Sequence, residues 1–404
     1  MADRRDIFRW IEKPETRRII DLFGSAGVEM RFVGGCVRDS LFGREIGDID
    51  IATAARPEAV QEMLHNAGIK SVPTGIEHGT LTAIVDGQAF EITTYRRDVE
   101  TDGRHAVVSF GTDWQEDAAR RDFTINALSI TPDGTLCDPL GGAADLQAGR
   151  IRFVGEARRR VREDILRILR WFRFYAHFGN HPPDAEALEA CRGFAFRIPD
   201  LSGERVRHEL LRLLEAADPL PSLRLMQETD VIDAVLGRGR RLDLLAGLCE
   251  VEQKTTTARD RLLRLAALFG QNAIANTMAV RLRLSNKESR RIADALSETP
   301  ALTPAMTIRE RRRLLYPLAV GVAEDRIRLA WAASPGDNRW ADWLEMNRRF
   351  DRPVFPLNGR DVYWLPEGPD IGEVLKLVEA WWIAEDFAPD RKACLGQLAR
   401  LKPA

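Results

Sequence analysis

The stretch from Arg31 to Ile51 constrains the fold more than any other. Arg31-Phe32-Val33 reads as the end of a strand, Gly34-Gly35 as a tight junction, and Cys36-Val37-Arg38-Asp39 as a helix start. Asp48 and Asp50 follow in Gly47-Asp48-Ile49-Asp50-Ile51, a second strand. A Gly-rich helix N-terminus presents unsatisfied backbone N–H groups that bind phosphate oxygens. Glycine has no Cβ, so a phosphate approaches its backbone closely. Residues i and i+2 of a strand share a face, so Asp48 and Asp50 are expected to set two carboxylates side by side, a ligand pair for hard Mg²⁺. Two such ions activate an attacking hydroxyl and stabilise a leaving pyrophosphate. Alone, an Asp-x-Asp is a polar strand end and a Gly-Gly is a turn; their joint appearance at this separation points to a metal-dependent nucleotide site.

Composition bounds the rest. At 404 residues the chain is long enough for two to four domains. Hydrophobic residues at 45% and charged residues at 30% describe an ordinary soluble protein. The net charge of −2 carries no global signature of nucleic-acid binding, so a local patch must supply one. The five cysteines (Cys36, Cys137, Cys191, Cys249, Cys394) form no Cys-x-x-Cys, which predicts reduced thiols in a cytoplasmic protein. No apolar run approaches a membrane span, the charged N-terminus does not read as a signal peptide, and no Walker loop is present.

Two regimes divide the chain. Up to about residue 155, short β-like runs mix with helices; Leu81–Val85 and Phe90–Tyr95 flank Asp86-Gly87, a hairpin signal. Beyond it, apolar residues recur at helical spacing and strand signals nearly vanish. Val206–Leu214, Ala258–Leu268 and Ile308–Tyr316 read as helices, the last stopping before Pro317. Proline-containing breaks near 182–183, 219–221, 300–304 and 353–356 suggest boundaries. The expected division is a catalytic head (1–155), a helical neck (156–218), a helical body (219–352) and a tail (353–404).

Gly34-Gly35-x-Val37-Arg38-Asp39, Asp48-Ile49-Asp50-Ile51-Ala52-Thr53, Arg120-Arg121-Asp122-Phe123-Thr124-Ile125-Asn126-Ala127 and Glu163-Asp164-Ile165-Leu166-Arg167 occur in that order. On these motifs the first half of the chain resembles the DNA polymerase beta-like nucleotidyltransferases, in the branch of CCA-adding enzymes and bacterial poly(A) polymerases. The resemblance implies an α+β fold: a nucleotidyltransferase head with a small mixed sheet, then an all-helical neck, body and tail. It implies Mg²⁺ on Asp48 and Asp50, and triphosphate contacts from Gly35, Arg38 and Arg121, with Gly34, Asp39 and Arg120 beside them. Asp122 and Asn126 are expected to hold a ribose or orient arginines, with helix capping an equal reading for Asp122. Glu91 is a candidate third carboxylate or a partner for Arg96.

Arg150–Arg173 holds nine arginines interleaved with apolar residues, so a packed helix with anion-seeking arginines is expected. Asp164 and Arg167, three apart, are expected to be neighbours on its surface. In the family that motif reads the incoming base. A carboxylate only accepts and a guanidinium only donates, which suits cytosine and adenine and opposes uracil and guanine. Arg170 and Arg173 are expected to contact the nucleotide, and Glu204 and Arg205 to stabilise the neck behind a Ser202 cap. Asp98–Phe110, around Asp102-Gly103-Arg104-His105, resembles the full-length flexible loop of CCA- and A-adding enzymes, and Thr74-Gly75-x-x-His78-Gly79-Thr80 resembles CCA enzymes. No His-Asp dipeptide exists, so an appended phosphohydrolase activity is not expected. Trp381-Trp382 reads as part of a packed helix. The implied function is CCA addition to the 3′ end of tRNA from CTP and ATP, with poly(A) or A-only addition as the alternative and a non-catalytic RNA-binding protein as a further one. No membrane and no obligate protein partner are implied.

Overall fold

A computed structural model describes residues 7–75, 79–101, 106–365 and 368–402. The chain forms two compact units, Met1–Arg238 and Gly239–Ala404. The first is built on a mixed seven-stranded sheet of β1 (Met30–Val33), β2 (Ile49–Thr53), β3 (Lys70–Gly75), β4 (Thr80–Val85), β5 (Gln88–Thr94), β8 (Ser129–Ile130) and β9 (Leu136–Cys137), in the order β3-β4-β5-β2-β1-β8-β9. The β4–β5 hairpin turns at Asp86-Gly87, both at positive φ (48° and 86°), as a two-residue turn between twisted strands requires. The pair β2–β5 is parallel and sets Asp50 beside Glu91.

Alternation decides which side of this sheet is core. Phe32, Ile49, Ile51, Phe90 and Ile92 point into one apolar cluster with Ile19 and Phe23 of the Pro14–Ser25 helix and Val60 and Leu64 of the Pro57–Asn66 helix. Their neighbours Val33, Asp50, Ala52, Glu91 and Thr93 take the opposite face and line a cavity. Residues Arg96–Thr101 (β6) and Ala106–Phe110 (β7) pair as a separate antiparallel hairpin, so the flanks of the expected flexible loop are strands. Asp102–His105 lie outside the described residues, as does His78.

Beyond Cys137 the described residues form no further strand apart from an isolated bridge between Phe123 and Phe153. The helices of the first unit include Ala157–Glu163, Leu166–Phe178, Ala185–Phe194 and Gly203–Leu214. The arginine-rich stretch is therefore two helices and not one. In the second unit, Leu242–Lys254, Arg261–Phe269 and Ile308–Leu315 begin a helical array. Trp331, Trp340 and Trp343 centre one core there, and Trp382 with Val378, Cys394 and Leu398 centres another. Trp382 is buried within Pro369–Ala384 and Trp381 packs against the same cluster, as a packed helix requires. All five cysteines are free thiols.

Candidate active site

One cavity of about 790 Å³ lies wholly within the first unit. It brings together every residue expected from the sequence: Gly34, Gly35, Arg38, Asp39, Asp48, Asp50, Glu91, Arg120, Arg121, Asp122, Asn126, Asp164, Arg167, Arg170 and Arg173. Gly34 links β1 to the Gly35–Leu41 helix at φ 69°, ψ −118°. A Cβ there would stand 3.0 Å from Arg121 Nη1 and 3.9 Å from Asp50 Oδ2, so both conformation and space call for glycine. The helix makes its first i→i−4 bond from Arg38 N–H to Gly34 C=O at 3.0 Å, which leaves the preceding N–H groups outside the ladder.

Asp50 is the half-buried carboxylate and Asp48, just before β2, the exposed one. Burial pushes the Asp50 carboxyl up to about 6; Glu91 and Asp48 add to this, and Arg121 and Arg38 oppose it. A carboxylate raised in this way by burial and by two neighbouring carboxylates fits a hard divalent cation, which relieves the repulsion. Among the described residues no three His, Cys, Asp or Glu groups form a closed metal cage. An ion on two carboxylates completes its shell from water and substrate phosphates.

A chain of ion pairs and hydrogen bonds fixes the cation side. Arg38 donates from Nε to Asp39 at 2.9 Å and from Nη1 to Asn126 Oδ1 at 2.6 Å. Asn126 Nδ2 donates to Asp122 at 2.9 Å, and Asp122 also accepts Phe123 N–H and the Arg170 fork. Burial raises the Asp122 carboxyl, but Arg170, Asn126 and Phe123 N–H overcome it and hold it at about 2. Asp122 thus orients an arginine. Arg173 pairs with buried Glu209 at 2.6 Å, and burial pulls its guanidinium down to about 10 against that pairing. Asp117, with its side chain only 4% exposed, holds Arg120 at 2.7 Å and Arg121 at 3.2 Å. Sequence reading missed Asp117 and Glu209; the i, i+3 and i, i+4 spacing of Asp117 to Arg120 and Arg121 was the available signal.

The expected Asp164–Arg167 surface pair is corrected. Asp164 is not helical: at φ −149°, ψ 110° it ends the Ala157–Glu163 helix, and its carboxylate accepts Leu166 N–H at 3.1 Å where the next helix begins. A short carboxylate that bonds nearby backbone N–H competes with the helix at this point. Arg205 Nη2 grips both Asp164 oxygens, at 3.1 and 2.9 Å. Arg167 uses Nη1 for Glu163 at 2.7 Å and Arg160 C=O at 2.8 Å. Each member of the pair is thus held by its own partner. Ser202 stands at the N-cap of Gly203–Leu214 but makes no side-chain capping bond, contrary to expectation.

A glycine junction on a mixed sheet, two carboxylates on its open face and an arginine-lined cavity define a nucleotidyltransferase head. The Poly A polymerase head domain family matches residues 30–152, and the family described as "Probable RNA and SrmB- binding site of polymerase A" matches 183–237. The zebrafish (Danio rerio) mitochondrial CCA tRNA nucleotidyltransferase 1 is 34% identical over 95% of this chain and 90% of its own. The Latilactobacillus sakei CCA-adding enzyme is 30% identical over 95% and 97%. The crystal structure of the Bacillus stearothermophilus CCA-adding enzyme in complex with CTP superimposes with a TM-score of 0.78 at 27% identity, covering 96% of this chain and 98% of that one. The chain belongs to the CCA tRNA nucleotidyltransferase family. Enzymes of this class use a divalent metal.

Proposed function

We infer that the protein is a template-independent CCA tRNA nucleotidyltransferase that adds CMP, CMP and AMP from CTP and ATP to the 3′ end of tRNA and releases pyrophosphate. The observation that carries this reading is the single cavity joining Asp48 and Asp50 to Asp164 and Arg167, in a chain that matches CCA-adding relatives over nearly its full length. We propose Asp48 and Asp50 as Mg²⁺ ligands; the ion, when bound, supplies Lewis-acid stabilisation at the reacting phosphate. Gly35, Arg38 and Arg121 hold the triphosphate, Gly35 through its backbone N–H and the arginines through forks fixed by Asp39, Asn126 and Asp117. Fixed forks need no reorganisation when charge develops on the phosphoryl oxygens. Gly34 keeps the backbone clear for that approach, and Glu91 adds negative charge beside Asp50. Arg120 is held by Asp117 beside Arg121.

Asp164 and Arg167 read the base. Arg205 and Leu166 N–H fix the acceptor, and the Glu163 and Arg160 bonds fix the donor through Nη1 alone, leaving the rest of the Arg167 fork outside those bonds. Cytosine and adenine offer a donor amine beside an acceptor nitrogen; uracil leaves like groups opposed. Arg170 and Arg173 complete the nucleotide side, with Asp122 and Asn126 orienting the first. The division at 155, 218 and 352 into head, neck, body and tail is kept as a functional proposal, the body and tail holding tRNA by shape and phosphate contacts. No helix of the described residues is long and apolar enough to cross a membrane, and we place the protein in the cytoplasm.

The test is incorporation on a tRNA lacking its 3′ CCA, with Mg²⁺ and each labelled nucleotide alone and combined. Stepwise C, C and A with arrest is the expected result. The head's match to poly(A) polymerases keeps one second reading: long A tails on unrelated RNA and refusal of CTP would establish it.

A further inference from the structure

Phe174 lines the nucleotide cavity and is bracketed by arginines: Arg173, Arg38 and Arg170 place their guanidinium carbons 4.3, 5.1 and 5.7 Å from its ring centre. Phe178, one helical turn on, stacks beside it at 6.1 Å. Phe178 in turn meets the edge of Phe42 at 5.0 Å. Arg38 also lies 4.6 Å over Phe178, and Arg44 lies 4.4 Å over Phe178 and 4.8 Å over Phe42. Arginines and rings therefore alternate along a strip from inside the cavity to the surface. Phe174 and Phe178 are buried, whereas Phe42 is 42% exposed.

His177 gathers the outer end of this strip. Its carbonyl accepts Arg44 Nη2 at 2.7 Å, and its ring Nε2 lies 2.7 Å from the Arg212 carbonyl. Arg212 lines the same cavity from the Gly203–Leu214 helix and is exposed. Arg167, Arg170, Arg173 and Arg205, the other neck arginines of the cavity, each hold a carboxylate; Arg212 holds none among the described residues. Its positive charge is uncompensated by a carboxylate among the described residues, and the Arg212 carbonyl is tied through His177 and Arg44 to the half-exposed Phe42 ring.

We propose that this strip is the track of the single-stranded 3′ end of the RNA acceptor, with Phe42 stacking an unpaired base and Arg212 contacting a phosphate. The proposal rests on the assignment of a tRNA acceptor above and adds where its last nucleotides run. An unpaired exposed cation suits a polyanion, and an exposed ring suits a base only when that base is unpaired. An exposed ring beside a positive groove is the pattern by which single strands are held without sequence readout.

The test uses full-length protein, Phe42→Ala, Phe42→Trp and Arg212→Gln, with tRNA lacking CCA and CTP varied separately. Phe42→Ala is expected to raise the KM for tRNA about tenfold with the KM for CTP unchanged, and Phe42→Trp to restore it. Arg212→Gln is expected to raise the KM for tRNA and to lower the slope of log K against log salt by roughly one phosphate contact. Wild-type KM for tRNA in both Phe42→Ala and Arg212→Gln would overturn the track while leaving CCA addition standing. Absence of incorporation by the wild type would instead remove the acceptor assignment itself. A matched rise in both KM values would mark Phe42 as structural and also overturn the track.

Discussion

Asp50 and Asp48 differ in a way that makes their roles separable. Asp48 is exposed, so Asp48→Ala is expected to abolish nucleotide transfer while circular dichroism and tRNA binding stay near wild type; near-normal turnover would refute the metal-site assignment. Asp50 is held at about 6, above its unfolded value, so the folded state binds the extra proton between about pH 4 and 6. Its stabilising contribution is present below pH 4 and is lost as pH rises through 6. In chelator at pH 7.5, Asp50→Asn is therefore expected to be more stable than wild type, by on the order of 2 kcal/mol, with the gap closing as the pH falls to 4. Urea denaturation at the two pH values measures this; equal stability at both would show that the crowding of Asp50 by Glu91 and burial has no energetic weight. Arg205 gives the third test at this scale. It grips both oxygens of Asp164, so Arg205→Met is expected to free the carboxylate and erode discrimination of CTP over UTP about tenfold. Competition between the two labelled nucleotides reads it out, and unchanged selectivity would mean that Leu166 N–H alone fixes Asp164.

Helix ends carry the second level of organisation, and here the sequence was an uneven guide. Ser202 and Asp184 both stand at N-caps, yet Asp184 accepts Ala187 N–H at 2.9 Å whereas Ser202 makes no such bond. Asp184→Ala is expected to cost about 1 kcal/mol and Ser202→Ala less than about 0.5 kcal/mol, measured by urea denaturation. A reversal would show that the Ser202 hydroxyl stabilises the helix by a route other than capping. Motif-bearing stretches were legible because chemistry fixes residue type: only glycine suits φ 69° at Gly34 beside Arg121, and alternation alone puts Asp50 opposite Ile49 and Ile51. The break at Asp164 was not legible. Helical periodicity runs through Val161, Leu166 and Leu169, and the interruption arises from a carboxylate finding Leu166 N–H and Arg205 across the fold. Glu209 was likewise invisible, since its partners Arg170 and Arg173 come from another helix.

At the scale of the whole molecule, chemistry and bulk are separated along the chain. Every residue of the nucleotide cavity precedes Arg238, where the first compact unit ends, and the RNA-binding family match ends at 237. Gly237 and Gly239, both at positive φ, flank that boundary. The second unit has its own apolar cores around Trp331, Trp340 and Trp343 and around Trp382. The ion pairs and hydrogen bonds that hold the cavity, from Asp39 through Arg38, Asn126, Asp122 and Arg170 to Glu209, close within the first unit. A fragment ending at Arg238 is therefore expected to fold and to bind CTP within about threefold of the full chain, because all the groups that fix the pocket are retained. Its tRNA affinity is expected to fall by tenfold or more, on the order of the loss of a few phosphate contacts, and to depend less steeply on salt. Calorimetric titration of the fragment with CTP, beside filter binding of tRNA across a salt series, separates the two. A folded fragment that does not bind CTP would show that the second unit shapes the nucleotide pocket, and full tRNA affinity in the fragment would remove the body and tail from the RNA-holding role.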